Sequence, residues 1–476
     1  MSEFIVAFRK SPESEGIAQL YADGPDSLRA SNENEFYYKF LRYFDDLNHL
    51  KYLDHIRFID AGVESSEKNR WASYVATGKR ALRDLRSSLG ESEDSLMGLR
   101  NILGNIGSIL KYPSSDLLKV SEPFDAVVVA AGPSLDLEIE NLKLIQNRAL
   151  IISVDASLRT LLEHGIEPHL VACTERGIEV LPFFEKLPAN LRTKLVAQGT
   201  VTPELFKTYS AEKFVSFKYS SNFLWLPFKR SRHWVGASVA HLCYRLATSM
   251  GAKSVALVGQ DLAYHPKTLQ SHGKVVAYPG WSEGDTFDNR REEFKASYVP
   301  GNTIEWVPSN PMWGNFADEY TEIIADAKVS TFNTSQLGRK ISGTEFISLS
   351  DWMKRLGDKP IQLFRAPDTE ANSKVLAQRM LDKIKDAKFH LTGLQSRKDY
   401  EGVLEVPHFL ELVLEIVITQ FVKAENERFG TSGSAAIAAE QNFLSFVSQK
   451  IPAILEILAD AQSQVDSFLA SGTSDQ

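Results

Sequence analysis

The stretch Ala126-Val127-Val128-Val129-Ala130-Ala131-Gly132-Pro133-Ser134-Leu135 runs from a continuous apolar segment through a breaker into a helical pattern. A Val-rich run without polar alternation is what a strand buried on both faces requires, which is the condition inside a parallel sheet. The glycine lets the chain turn tightly and lets an anion approach with no Cβ in the way. The helix that follows offers unpaired N–H groups and a positive dipole end. Strand, turn and helix read together as the opening unit of a Rossmann-like α/β domain, with Gly132, Pro133 and Ser134 as a seat for phosphate. A plain turn, with proline at the helix start and Ser134 as its cap, is the structural alternative.

Working outward, strand and helix alternate at βαβ spacing. A helix is expected over 135–146, a strand over 149–154, a helix over 157–164 stopped by Gly165, and a strand over 169–174. Strands at 194–197 and 213–217, a helix over 237–250 closed by Gly251, and a strand at 254–258 continue the series. Such chains wind into a mostly parallel sheet with helices on both faces. Residues 263–314 interrupt the rhythm with Gly, Pro, His and Trp, and a loop of that length reads as an active-site loop. A helix over 316–327 and a strand at 329–332 close the α/β region.

On either side the texture is helical. Phe36, Phe40, Leu41 and Phe44, and Leu96, Leu99, Leu103 and Ile106, recur at three- and four-residue spacing. A short strand at Phe4–Phe8 precedes them. After Thr369, helical patterns occupy 375–389, 409–427 and 435–469, the last with a candidate break at Pro452; 429–434 reads as a turn and the last six residues as a frayed tail. The expected domains are therefore 1–120 (helix-rich), 121–349 (catalytic α/β) and 350–476 (helical bundle).

Composition bounds the function. The 476 residues carry 43% apolar and 24% charged residues, the balance of a soluble globular protein. With 53 Lys and Arg against 61 Asp and Glu, the net charge of −8 argues against broad nucleic-acid binding. The two cysteines, Cys173 and Cys243, read as buried reduced thiols. Met1–Lys10 has no basic segment ahead of an apolar run, and the apolar stretch 409–422 is interrupted by Glu411 and Glu415. A cytoplasmic protein without membrane spans is expected.

Ligands of open α/β sheets bind beyond the carboxyl ends of the strands, so the other strand ends matter. Asp155 ends the second strand and either accepts from ribose hydroxyls or caps its helix. Thr174, Glu175 and Arg176 end the third. Lys229, Arg230, Arg232 and His233 precede Gly236 and Ser238 at a second helix start, a positive patch suited to phosphate or a sugar carboxylate, or else a solvated loop. Gly259, Gln260, Asp261 and Tyr264 follow another strand, and His265 and His272 come soon after as candidate bases or solvated loop histidines. Phosphate-loop, dinucleotide, D-x-D and zinc patterns are absent from the sequence.

The ordered motifs Val129–Leu135, Ser153–Leu158 with His164–Pro168, Gly236–Ala240 and Val258–Tyr264 resemble those of the motility accessory factor (Maf) family of flagellin glycosyltransferases. The resemblance covers about residues 121–345. It implies a sialyltransferase-like central fold and transfer of a nonulosonic acid, such as pseudaminic or legionaminic acid, from its CMP-activated form to Ser or Thr hydroxyls of flagellin. Gly132, Pro133 and Ser134 would hold the CMP phosphate, Asp155 the nucleoside or sugar, and Gln260 with Asp261 the reaction centre. Thr174, Gly236, Ser238 and Tyr264 would complete the donor site. The base stays open among Asp261, Glu175 and His272. No obligatory cofactor is implied; metal dependence and oligomeric state are left open. Archaeal 6-hydroxymethylpterin diphosphokinases are similar across the same motifs, which gives an ATP-dependent alternative, and a non-enzymatic flagellin-binding protein is a third.

Overall fold

In the computed structural model the described residues are 4–11, 14–21, 32–43, 56–60, 68–88, 91–217, 227, 238–274, 276, 297–367, 373–397, 416, 419–421, 423–424 and 434–471. Contacts divide the chain into two compact units, residues 1–99 with 383–459 and residues 100–382 with 460–476. This partition differs from the division expected at 120 and 349. Its boundaries fall inside helices, which run on through a change of unit and leave no turn-rich mark in the sequence.

The first unit begins with a sheet rather than with helices. Strands β1 (Phe4–Ser11) and β2 (Ser14–Tyr21) form an antiparallel pair, and β3 (Ile56–Asp60) pairs with β1 in parallel. Only β1 was foreseen, because β2 lacks apolar–polar alternation and β3 lies in a stretch read as helical. Helix α1 (Glu33–Tyr43) follows the expected periodicity, and α2 (Lys68–Ser88) lies in the region expected to be helix-rich. Phe36 and Phe40 are fully buried, with the Phe36 ring 5.8 Å from Tyr74 and the Phe40 ring 6.1 Å from Phe58.

The boundary after residue 99 falls within α3 (Ser92–Gly104), and the second unit continues with α4 (Ile106–Lys111) and β4 (Leu118–Val120). Its sheet strands are β5 (Asp125–Val129), β6 (Leu150–Val154), β7 (Leu170–Cys173), β8 (Lys194–Gln198), β9 (Lys213–Ser216) and β10 (Ser254–Val258). Intervening helices are α5 (Leu135–Ile145), α6 (Asp155–Glu163), α7 (Pro203–Thr208) and α8 (Val239–Ser249). A hairpin of β11 (Ser297–Pro300) and β12 (Trp306–Ser309) comes next, then α9 (Pro311–Ala327), β13 (Ser330–Asn333) and β14 (Glu345–Phe346).

The eight strands order as β14-β13-β10-β5-β6-β7-β8-β9 and every neighbouring pair is parallel. The expected parallel α/β sheet is present. Val127, Val128 and Val129 of its central strand are fully buried, as are Leu150–Ile152 and Val255–Val258. Each such side chain contributes about 1.5–3 kcal/mol of hydrophobic free energy, which is why the run 126–131 marked the fold.

The segment expected as one long loop, 263–314, is partly regular. It contains the β11–β12 hairpin and the first turn of α9, where Asn310 Oδ1 accepts from Trp313 N at 2.9 Å; residues 277–296 lie outside the described set. Short elements α10 (Leu349–Trp352) and β15 (Leu363–Arg365) follow, β15 pairing with β4. Helices α11 (Ser373–Arg397) and α12 (Ser434–Ala470) are the long helices expected near the end; α12 continues through Pro452 rather than breaking there. Most of the helix expected at 409–427 and most of the turn at 429–434 lie outside the described residues. Cys173 and Cys243 are buried and free, as expected.

Candidate functional site at the carboxyl edge of the sheet

Because all eight strands point the same way, their carboxyl ends share one edge. The chain steps outward from β5 to β9 and then resumes on the other side of β5 with β10. The reversal between β5 and β10 is where open sheets of this type form their crevice.

The loops after β5 and β10 are tied together at this point. Ala130 N donates to Val258 O at 2.9 Å and Gly132 N to Gly259 O at 2.8 Å. Ser134 N donates to Asp261 Oδ2 at 3.0 Å, and Ser134 Oγ donates to Asp261 Oδ1 at 2.5 Å. The same Oγ accepts from Leu337 N at 2.9 Å. A Cβ on Gly132 would strike Asp261 Oδ2 and lie 2.6 Å from Gly259 O. Gly259 turns the partner loop with φ 63°.

This geometry corrects the expected phosphate seat. Ser134 N serves Asp261, Leu135 N serves Gly132 O at 3.0 Å and Asp136 N serves Pro133 O at 3.3 Å, so the amides at the start of α5 are used internally. Pro133 and Ser134 are buried, and only Gly132 is part-exposed. An aspartate carboxyl occupies the place foreseen for phosphate, and the helix dipole favours it there as it would any anion. Asp261, 1% exposed, is also withdrawn from the expected role of base, since both its oxygens accept from Ser134. Burial pushes its carboxyl up to about 7, against the pull of the two Ser134 hydrogen bonds, with Asp136 adding to the rise.

Asp155 is differently placed. It opens α6 directly after β6, and its Oδ1 accepts from Ala156 N at 2.8 Å. Its Oδ2 is buried and accepts from no N–H or O–H group, the buried Cys173 thiol being the weak donor beside the carboxyl. Burial raises this carboxyl to about 7; the Ala156 bond lowers it, the charge of Glu175 raises it, and the Cys173 thiol lowers it weakly. Thr174 is half-buried and Glu175 exposed just beyond β7. A buried carboxyl with one open oxygen thus lies within electrostatic reach of an exposed carboxylate.

The remaining expected residues separate into two sets. Gln260 and Tyr264 are buried: Gln260 Oε1 accepts from Tyr320 OH at 3.2 Å, Tyr264 OH accepts from Asn310 Nδ2 at 3.3 Å, and the Tyr264 ring lies 4.6 Å from Trp313. These contacts fix the loop after β10 to α9. His272 lies nearer the Gly132 turn, because Gly273 N donates to Ala131 O at 3.0 Å and Lys274 N to Asp136 Oδ2 at 2.8 Å. It is half-buried, with Nδ1 2.7 Å from Ser271 Oγ. His265 Nδ1 accepts from Lys267 N and Thr268 N, which holds a turn, and burial lowers its pKa.

Ser238 caps α8: its Oγ accepts from Ala240 N at 3.3 Å while its own N donates to His241 Nδ1 at 3.3 Å. Gly236 and the basic run 229–233 lie outside the described residues. Among the described residues, no group of His, Cys, Asp and Glu is arranged to hold a metal ion. Sequence reasoning missed Leu337 and Arg339, which close over Asp261. The sequence signal for them is indirect: Asn333-Thr334-Ser335 is another strand end delivering polar residues to the same edge.

Residues 100–267 match the family model of the 6-hydroxymethylpterin diphosphokinase MptE-like proteins. Across 92% of the chain the structure is similar to that of the Maf glycosyltransferase from Magnetospirillum magneticum AMB-1, with a TM-score of 0.50, 17% identity and 68% of that chain covered. The fold is similar to that of the Maf glycosyltransferase. Comparison with curated protein sequences gives no match. At 17% identity the likeness to the Maf enzyme carries the architecture, and the chemistry has to be argued from this chain's own residues.

Proposed function

We propose that this protein is a glycosyltransferase that moves a nonulosonic acid, of the pseudaminic or legionaminic type, from its CMP-activated form to Ser or Thr hydroxyls of flagellin in the cytoplasm. The observation that carries this reading is the Asp155–Glu175 pair: one buried carboxyl with an oxygen that accepts from no N–H or O–H group and one exposed carboxylate, on neighbouring strand ends of a Maf-like sheet. Buried polar atoms are nearly always satisfied, so an open oxygen at the edge where ligands bind invites a hydroxyl donor.

In this mechanism Asp155 Oδ2 accepts from a hydroxyl of the donor's ribose or sugar and orients it. Glu175 takes the proton of the acceptor hydroxyl as its oxygen bonds to the anomeric carbon and the bond to the CMP phosphate breaks. Thr174, half-buried and next to Glu175 in the chain, binds the donor as well in this reading. Asp261 and Ser134 act by fixing the Gly132 turn, and His272 stands beside that turn as a second candidate proton acceptor. Among the described residues no helix is long and apolar enough to cross a membrane.

The match of residues 100–267 to the MptE-like model favours one other reading, diphosphoryl transfer from ATP. Thermal shift separates the two, since a ligand at a hundred times its dissociation constant adds about 2.7 kcal/mol to stability. CMP is expected to raise the melting temperature and ATP with magnesium to leave it unchanged. The reverse result supports the diphosphokinase and refutes the transferase.

A further inference from the structure

Arg339 is a half-buried cation that forms no salt bridge among the described residues. Its backbone is anchored, with N donating to Asp261 O at 2.9 Å and O accepting from Asn333 Nδ2 at 3.4 Å. The preceding residue is anchored too, as Gly338 N donates to Ser335 O at 3.1 Å and Gly338 O accepts from Asn302 N at 2.9 Å. These bonds hold the segment after β13 against Asp261 after β10 and against Asn302 in the β11–β12 turn. The side chain, by contrast, makes no ion pair or hydrogen bond among the described residues, and its Nε is buried without a partner.

A guanidinium does not discharge at any physiological pH, so burial leaves it charged. The acid that attracts it, Asp318, is exposed and does not form a salt bridge with it; burial lowers the pKa of the group and Asp318 only offsets this. Arg339 Nη1 reaches Gly314 in the first turn of α9, lying 3.6 Å from where a Cβ would stand, and that turn carries no acidic residue. At the same edge Asp261 has closed the start of α5 to phosphate. A leaving phosphate needs positive charge, and among the described residues Arg339 is a half-buried cation beside Asp261 able to supply it.

We propose that Arg339 forms an anion site for the phosphate of the nucleotide donor, a proposal whose donor identity rests on the transferase reading above. The guanidinium pairs with phosphate oxygens and stabilises the charge that develops on them as the glycosyl bond breaks. The carboxylate of the sugar shares this anionic chemistry, and the experiment separates the two.

Titration calorimetry of the full chain with inorganic pyrophosphate, CMP, cytidine and free N-acetylneuraminic acid is run on wild type, Arg339→Gln and Arg339→Lys. Wild type is expected to bind CMP and pyrophosphate at least tenfold more tightly than Arg339→Gln, with cytidine and the free sugar acid unaffected. Arg339→Lys, which keeps the charge without the fork, recovers part of the pyrophosphate affinity and shows that charge rather than folding is lost. Equal CMP and pyrophosphate affinities in wild type and Arg339→Gln, no binding of either anion to wild type, or a loss confined to the free sugar acid, would overturn the proposal. Pyrophosphate binding that depends on Arg339, with no binding of CMP to any form, upholds the anion site and refutes the CMP-dependent reading.

Discussion

Replacing Asp155 by asparagine keeps the shape of the side chain and the acceptor for Ala156 N while removing the titrating charge. The wild-type carboxyl is raised from 3.8 to about 7, first by burial, so the folded state holds this proton more tightly than the unfolded chain. At about 1.36 kcal/mol per tenfold change in proton affinity, this corresponds to roughly 4 kcal/mol. For a raised folded pKa, the contribution to stability is fully present below 3.8 and is lost as pH rises through 7. His169, lowered to about 4 by burial, works in the opposite sense, contributing stability above 6.5 that is lost as pH falls. Wild type and variant share it, so it cancels in their difference. Urea unfolding of both proteins at pH 4, 6 and 8 is therefore expected to show Asp155→Asn near wild type at pH 4 and up to about 4 kcal/mol more stable at pH 8. A difference independent of pH would refute the reasoning that an open, buried carboxyl is kept there at a cost to stability.

Glu175→Gln removes a charge that raises Asp155, so the pH at which stability falls away is expected to move down in the same unfolding series. Ser134→Ala leaves Asp261 Oδ1 and Leu337 N unsatisfied in a buried site, a loss of roughly 2–4 kcal/mol by denaturant midpoint; a change below about 0.5 kcal/mol would show that these bonds do not hold the turn. Gly132→Ala is expected to destabilise strongly, because its Cβ meets Asp261 and Gly259 O. Gly107→Ala in α4, with open space around it, should be neutral or stabilising by up to about 1 kcal/mol, and equal melting temperatures for the two would remove the close-contact argument.

The sheet was legible because burial on both faces writes itself into sequence as unbroken apolar runs, and β5, β6 and β10 fall within a residue or two of where Val127–Val129, Leu150–Val154 and Val255–Val258 place them. The three-stranded sheet of residues 4–60 was not, since Ser14–Tyr21 carries its pairing in backbone hydrogen bonds that no side-chain pattern announces. At the site, sequence found that Gly132, Ser134, Asp155, Glu175 and Asp261 share one edge. It could not tell which faces a ligand and which faces another loop: the glycine and serine suited to phosphate suit an aspartate carboxyl equally well, because both are anions seeking the same amides. Arg339 escaped notice for a related reason, since a lone arginine outside a basic cluster shows its lack of a salt bridge only in three dimensions.

The most direct test of the account is the intact mass of flagellin after incubation with a CMP-nonulosonic acid and the purified protein. With wild type, the flagellin mass is predicted to rise by whole nonulosonic-acid residues, and with folded Asp155→Asn and Glu175→Gln it is predicted to stay unchanged. Flagellin unmodified by wild type with every such donor, or modified equally by all three proteins, would contradict it.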